Sequence, residues 1–251
     1  MFKLKQYFDN ILYMYNKNME VFKMKKIRSG LMIILEGGEG VGKTTQAKKL
    51  VEYYESQGYA AKYFREPGGN ELAEQIRNLA LYNEMDSTTE TLLMCAARNI
   101  NVQNNVLPAL LDGNIVIMDR FTKSTIVYQG LLKDGDLSFI DKCTWQVSKD
   151  LYDCDTYQAE ITLLCDAEIA IQRAAAEGHE RNKNDVLPVE EYKKINDAYR
   201  GLSTNSSYRK FKSDNCLGHL IDTTNITEAE VFNKLKDIIN SMIEAAHMYE
   251  E

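Results

Sequence analysis

Leu31-Met-Ile-Ile-Leu-Glu36 is a continuous apolar run of strand length, and it breaks directly into Gly37-Gly-Glu-Gly-Val-Gly-Lys-Thr44. An unbroken run of this kind suits a central parallel strand whose two faces are both covered. Beyond the glycines, Ala47, Leu50, Val51 and Tyr54 recur at i, i+3, i+4 and i+7, the stripe of an amphipathic helix, and Gly58 is a natural C-terminal stop. The pattern G-x-x-x-x-G-K-T in this setting is a phosphate cradle. Its backbone must curl with the N–H groups pointing inward, while the lysine reaches the β and γ phosphates and the threonine ligates Mg²⁺. The helix that follows adds its positive N-terminal end. The bare pattern arises by chance in on the order of one chain in a hundred, but strand and helix on either side leave little room for an ordinary glycine turn. Gly37, Gly38, Glu39, Gly40, Val41, Gly42, Lys43, Thr44 and Thr45 are therefore expected to hold ATP, with Lys43 acting in catalysis and Thr44 on the metal.

The rest of the chain repeats the alternation. Ala60 to Phe64 reads as a second strand, Pro67-Gly68-Gly69 as a turn, and Asn70 as the cap of another helix. Thr88 to Leu111 looks helical with Pro108 expected to kink or end it, and Asp112-Gly113 closes the segment. Ile115 to Met118 reads as a third buried strand ending at Asp119, Ile161 to Cys165 as a fourth ending at Asp166, and His219 to Ile221 as a fifth. A last helix starts at Thr227, with Glu230 three residues on in a capping box. No internal repeat is visible. The expected fold is α/β: a doubly wound, five-stranded parallel sheet flanked by helices, with ligands beyond the carboxyl ends of the strands.

The net charge of −7 argues against a nucleic acid polymer as main partner, since such binding needs many phosphate-neutralising cations. Small anionic ligands remain allowed. No apolar run approaches the roughly 20 residues that span a bilayer. The five cysteines, Cys95, Cys143, Cys154, Cys165 and Cys216, are odd in number and widely spaced, which suggests a reduced cytoplasmic setting without a cysteine-held metal. Residues 1–30 carry seven Lys/Arg against two acids. They fit neither a secretory signal nor an organellar presequence, and read as a basic extension before one domain spanning residues 31–251.

Asp119, at the end of an apolar strand, is placed to hold Mg²⁺ or its waters. Arg120 beside it makes sense if one charge faces the metal and the other a substrate phosphate. Around these residues four segments, ILEGGEGVGKTTQ (34–46), REPGGNELAEQIR (65–77), LLMCAAR (92–98) and DRFTKSTIVYQG (119–130), give the chain its resemblance to the thymidylate kinases, from about Leu31 to Ala246. That resemblance implies a P-loop nucleoside monophosphate kinase, usually a homodimer, that moves the γ-phosphate of ATP to dTMP with Mg²⁺. It implies further that Arg77 and Arg120 grip the acceptor phosphate and that Arg98 reaches the pyrimidine O4. Thr125 and Gln129 would lie at the base or its surroundings, Tyr128 under the sugar, and Glu39 near the 3′-hydroxyl. Glu66 joins this acceptor set.

The phosphate loop carries no arginine among Gly38, Glu39, Gly40 and Val41. This resembles the bacterial-like subclass, in which a lid, here about residues 177–188, supplies the catalytic cation. Arg181 is the first candidate and Arg173 the second. Two departures stand out. Met94 occupies a position where relatives usually have a phenylalanine stacked on thymine, so a simple replacement of ring by sulfur and a relaxed choice of pyrimidine are both open. Ala159-Glu160 stands before the fourth strand where Pro-Asp is common, and is expected to be structural.

An acceptor phosphate, with a second pKa of about 6, is already mostly a dianion at neutral pH and needs no general base. His179, His219 and His247 are accordingly read as structural or surface groups. Two rivals remain. A deoxynucleoside kinase could use Glu66 to deprotonate a sugar hydroxyl, although Arg77 and Arg120 suit an acceptor that already carries phosphate. A nucleotide-dependent switch would use the phosphate loop without transferring phosphate to a small molecule.

Overall fold

A computed structural model describes residues 25–27, 30–154, 156–176, 187–204 and 216–248. Five strands form one sheet: β1 (Leu31–Glu36), β2 (Ala61–Arg65), β3 (Ile115–Asp119), β4 (Tyr157–Leu164) and β5 (Cys216–Asp222), in the order β2-β3-β1-β4-β5. Every pairing is parallel. Alternation along the strands divides the core. Leu31, Ile33, Leu35, Ile115 and Ile117 face a layer with Ala47, Leu50, Tyr54, Leu235 and Ile239. Met32, Ile34, Val116 and Met118 face the other, against Val102, Val106, Leu110 and Leu151. Each fully buried aliphatic side chain of this kind contributes about 1.5–3 kcal/mol through loss of contact with water.

The connecting helices are α1 (Lys43–Ser56), α2 (Glu71–Tyr82), α3 (Ser87–Asn101), α4 (Leu107–Leu111), α5 (Thr122–Thr125), α6 (Leu137–Asp153), α7 (Ala167–Ala176), α8 (Val189–Thr204) and α9 (Glu228–Met248). Asn70 caps α2 by accepting the Ala73 N–H at 2.9 Å. The capping box at α9 also forms, with Thr227 N–H donating to Glu230 and Glu230 N–H donating to the Thr227 hydroxyl. Gly58, at φ +83°, follows α1.

Three expectations need correction. Pro108 is not itself the point where the α-helical part of the run ends. That part, α3, ends at Asn101 and passes into a π-helical stretch, Val102–Val106, before the run resumes as α4 with the proline in its first turn. The fourth strand is longer than Ile161 to Cys165, beginning at Tyr157 because β1 pairs along its whole length, Leu31 with Tyr157 through Glu36 with Thr162. Ala159 and Glu160 therefore lie inside β4, where Glu160 forms a buried ion pair with Lys123 at 2.6 Å. The fifth strand likewise extends beyond His219 to Ile221, to Cys216–Asp222.

Packing also reaches back before residue 31. Lys25 N–H donates to Gly58 O, Ala60 N–H donates to Lys25 O, and Ile27 is fully buried in the core. No helix among the described residues is long and apolar enough to cross a membrane.

Candidate active site

In the order β2-β3-β1-β4-β5 the chain leaves β1 toward one edge of the sheet and returns past it to the other, so a crevice opens beyond the carboxyl ends of the central strands. The phosphate loop follows β1 into that crevice. Gly37 and Gly40 hold positive φ, +140° and +71°. A Cβ on Gly37 would lie 2.2 Å from the Leu163 carbonyl oxygen, and one on Gly40 2.0 Å from that of Ala170, so the neighbouring backbone requires glycine at both. The cap of α1 is Gly42, which offers no side chain, and α1 has no acid in its first turn. Its leading N–H groups are thus free of side-chain competition for an anion. Lys43, nearly fully buried, folds back over the loop and donates to Gly38 O at 2.6 Å. Burial and the Arg120 guanidinium press its ammonium below the usual lysine range, against the pull of Glu39, Asp119 and Glu36.

Next in the chain, the Thr44 hydroxyl donates to Asp119 Oδ2 at 2.5 Å, and the Tyr63 hydroxyl reaches the same oxygen at 3.3 Å. The strand-end aspartate and the loop threonine are thereby brought together as expected. Hydroxyl and carboxylate are the hard oxygen donors Mg²⁺ prefers, and a site with only two protein ligands leaves positions for water and phosphate oxygens. Among the described residues there is no cluster of three or more His, Cys, Asp or Glu that could hold a metal by itself.

Beside the loop lies a second cleft. Glu39, Glu66, Arg77, Met94, Arg98, Arg120, Thr125, Tyr128 and Gln129, the whole acceptor set expected from the sequence, line it together. Arg120 joins the two halves by pairing with Glu39 and donating to Gly37 O at 2.9 Å. Burial alone would raise the Glu39 carboxyl, but Arg120 and Lys43 outweigh it and hold it below the ordinary range. Arg77, in α2, donates to Pro67 O at 3.0 Å. Burial, with Arg65 nearby, lowers its guanidinium. Arg98, in α3, is buried against Glu66 at 2.6 Å and donates to Phe121 O and Thr125 Oγ1, both at 3.0 Å. Glu66 thus holds Arg98 through Oε2. Tyr128 and Gln129 sit in a second π-helical stretch, Ile126–Leu131, and the Tyr128 ring lies 5.4 Å from the Arg120 guanidinium. Met94 is almost fully buried at the cleft wall.

The cleft also contains residues the sequence did not single out: Pro67, Leu81, Phe121 and Ser124. Leu81 and Phe121 carry no polar signal and read as ordinary core, and Pro67 reads only as part of a turn. Glu36 is another omission, a fully buried carboxylate at the end of β1 whose charge interrupts an apolar run. Tyr199 hides on the apolar stripe of α8 with Tyr192, Ile195 and Leu202.

Arg173, half-buried in the last turn of α7, donates to the Thr223 hydroxyl at 3.2 Å and the Thr223 carbonyl at 3.1 Å. Arg181 and His179 lie outside the described residues, as does most of the segment 177–188. His219 is in β5 and His247 in the last turn of α9, and neither lines the second cleft.

A phosphate loop with a hydroxyl–carboxylate pair, facing a cleft that gathers three arginines, defines a P-loop phosphotransferase for two phosphorylated ligands. A thymidylate kinase family model matches residues 35–212. The chain is 37% identical over 182 residues to a thymidylate kinase of Rickettsia bellii, covering 72% of this chain and 85% of that one. It is 36% identical over 220 residues to the thymidylate kinase of Caldicellulosiruptor saccharolyticus, covering 85% and 98%. The crystal structure of thymidylate kinase from Ehrlichia chaffeensis superimposes with a TM-score of 0.60 at 29% identity, covering 84% of this chain and 99% of that one. The chain belongs to the thymidylate kinase family.

Proposed function

We propose that the protein transfers the γ-phosphoryl group of ATP to dTMP, giving dTDP. The observation that carries this reading is the single cleft holding Arg77, Arg98 and Arg120 beside the phosphate loop. Arg77 and Arg120 suit the acceptor phosphate, and Arg98, steadied by Glu66, suits a carbonyl oxygen of the base. Glu39 reaches from within the loop to Arg120, where a deoxyribose hydroxyl would come. Because the acceptor is already a dianion, the protein's task is electrostatic: to bring two anions into line and spread the charge of the moving group over Lys43 and arginines. Thr44 and Asp119 would hold Mg²⁺, which when bound screens the phosphate oxygens from one another.

Arg181 is the proposed lid cation on the strength of the resemblance, with Arg173 as the alternative. Second copies of the chain are the proposed partner, supported by Leu72, Leu79 and Tyr82 lying exposed along α2 and Leu92 along α3. The odd number and wide spacing of the five cysteines fit a reducing, cytoplasmic setting.

Initial rates with ATP and Mg²⁺ across dTMP, dUMP, 5-hydroxymethyl-dUMP, other nucleoside monophosphates and thymidine test the assignment. Transfer to dTMP with none to thymidine is expected; preference for thymidine would favour the deoxynucleoside kinase, and hydrolysis indifferent to any acceptor would favour a switch. Met94 is expected to relax the choice among 5-substituted pyrimidines, with Met94→Phe sharpening it toward thymine. A strong thymine preference unchanged by that substitution would contradict the relaxed reading.

A further inference from the structure

Arg120 has φ +71°, a left-handed conformation that residues with a Cβ rarely adopt. Such a setting persists where the surroundings over-determine it. Here they do. Arg120 N–H donates to Leu35 O at 2.9 Å. The following residue is held on both sides, Phe121 N–H donating to Glu36 Oε1 at 2.9 Å and Phe121 C=O accepting from Arg98 at 3.0 Å. Ser124 donates its N–H to Glu36 Oε1 at 3.2 Å and its hydroxyl to Glu36 Oε2 at 2.6 Å. The Arg120 Nη1 group in turn donates to Ser124 Oγ at 3.2 Å and to Tyr199 Oη at 3.1 Å, and those two oxygens are 2.8 Å apart.

Glu36 has no part in the chemistry, yet it is a carboxylate with no exposed surface. A buried carboxylate is costly unless it is hydrogen-bonded, and three donors meet its two oxygens, all from the turn that carries Arg120. Burial, then the Glu160 charge, push its carboxyl above the ordinary range, while Ser124, Lys123 and Arg120 oppose the shift. We propose that Glu36 is a positioning residue. Through Ser124 and the Phe121 peptide it fixes both the backbone and the guanidinium of the arginine that receives the acceptor phosphate. Tyr199 completes the set from α8. The inference rests on the assignment of Arg120 to the acceptor phosphate.

The test is a set of mutant cycles in the full-length enzyme, measuring kcat and KM separately for dTMP and ATP, with thermal melts as the check on folding. Wild-type transfer to dTMP is the control that separates failure of the functional reading from failure of the positioning role. Glu36→Ala and Ser124→Ala are each expected to lower kcat/KM for dTMP by about tenfold or more, with KM for ATP nearly unchanged. Glu36→Gln should recover most of the loss, because its amide oxygen keeps the two N–H donors and its nitrogen can face the serine hydroxyl. In an Arg120→Ala background, removing Glu36 or Ser124 should add little, since a residue that acts through Arg120 has nothing left to position. Losses that multiply in full in that background would overturn the proposal, as would unchanged dTMP kinetics in Ser124→Ala. If Glu36→Ala fails to fold, the Ser124 cycle and Glu36→Gln decide alone. An Arg120→Ala enzyme with wild-type dTMP kinetics would remove the acceptor assignment and the positioning role together.

Discussion

At the scale of the residue, the site works by giving each charge a counterpart that also points it. Asp119 accepts from both Thr44 and Tyr63, so its carboxylate is turned toward the phosphate loop before any ligand arrives. Tyr63→Phe removes one of the two donors and should raise the Mg²⁺ concentration for half-maximal rate by about tenfold, at the low end of the effect expected for partners of metal ligands. An unchanged Mg²⁺ dependence would show that Thr44 alone suffices. The acceptor residues were legible because they are polar, stand at strand ends or on helix faces, and share their spacing with a known family. Glu36, Ser124 and Tyr199 were not. The bonds that join them to one another and to Phe121 span 75 to 88 positions in sequence, and no local pattern marks a hydrogen bond of that range. Leu81 and Phe121 were illegible for another reason: an apolar side chain lining a base pocket looks the same as one in a core.

At the scale of the element, the caps were the most readable features and the ends of strands the least. Asn70, Thr227 and Glu230 announce themselves because a side chain that satisfies a helix terminus must sit at a fixed offset from it. Asn70→Ala should cost about 1 kcal/mol, lowering Tm by about 2–4 °C in a domain of this size. Glu230 gives a prediction with a sign. Its carboxyl is held below the ordinary range by the Thr227 N–H and hydroxyl. Its contribution to stability is therefore present above the usual glutamate pKa and is lost as pH falls through the lowered, folded value. Glu230→Gln should flatten Tm against pH in that acidic window, and an unaltered slope would contradict the capping role. The start of β4 was missed because Tyr157-Gln-Ala-Glu160 is not an apolar run. It is a strand because β1 offers an unbroken edge and Lys123 neutralises Glu160. The π-helical stretches, Val102–Val106 and Ile126–Leu131, were invisible because nothing in a helical periodicity marks where the hydrogen-bond pattern widens.

At the scale of the molecule, alternating strands and helices imply a parallel sheet, and the order β2-β3-β1-β4-β5 places the ends of β1, β2 and β3 side by side at one crevice. That is why Lys43, Glu66 and Arg120, far apart in sequence, meet. The exposed apolar residues on α2 recur at spacings of seven and three, a stripe that a second copy can cover. Sedimentation should give about twice the 28.7 kDa chain mass, and Leu72→Arg with Leu79→Arg should shift it to monomer. A wild-type chain that stays monomeric would remove the dimer. The central claim, that the phosphate loop and the arginine cleft together move phosphate from ATP to dTMP, is tested most directly by following dTDP formation in wild type and Lys43→Ala. Wild type should convert dTMP in the presence of ATP and Mg²⁺, and Lys43→Ala should lose about a thousandfold or more in kcat. Near-normal kcat without the lysine, or ATP consumption that does not respond to dTMP, would contradict it.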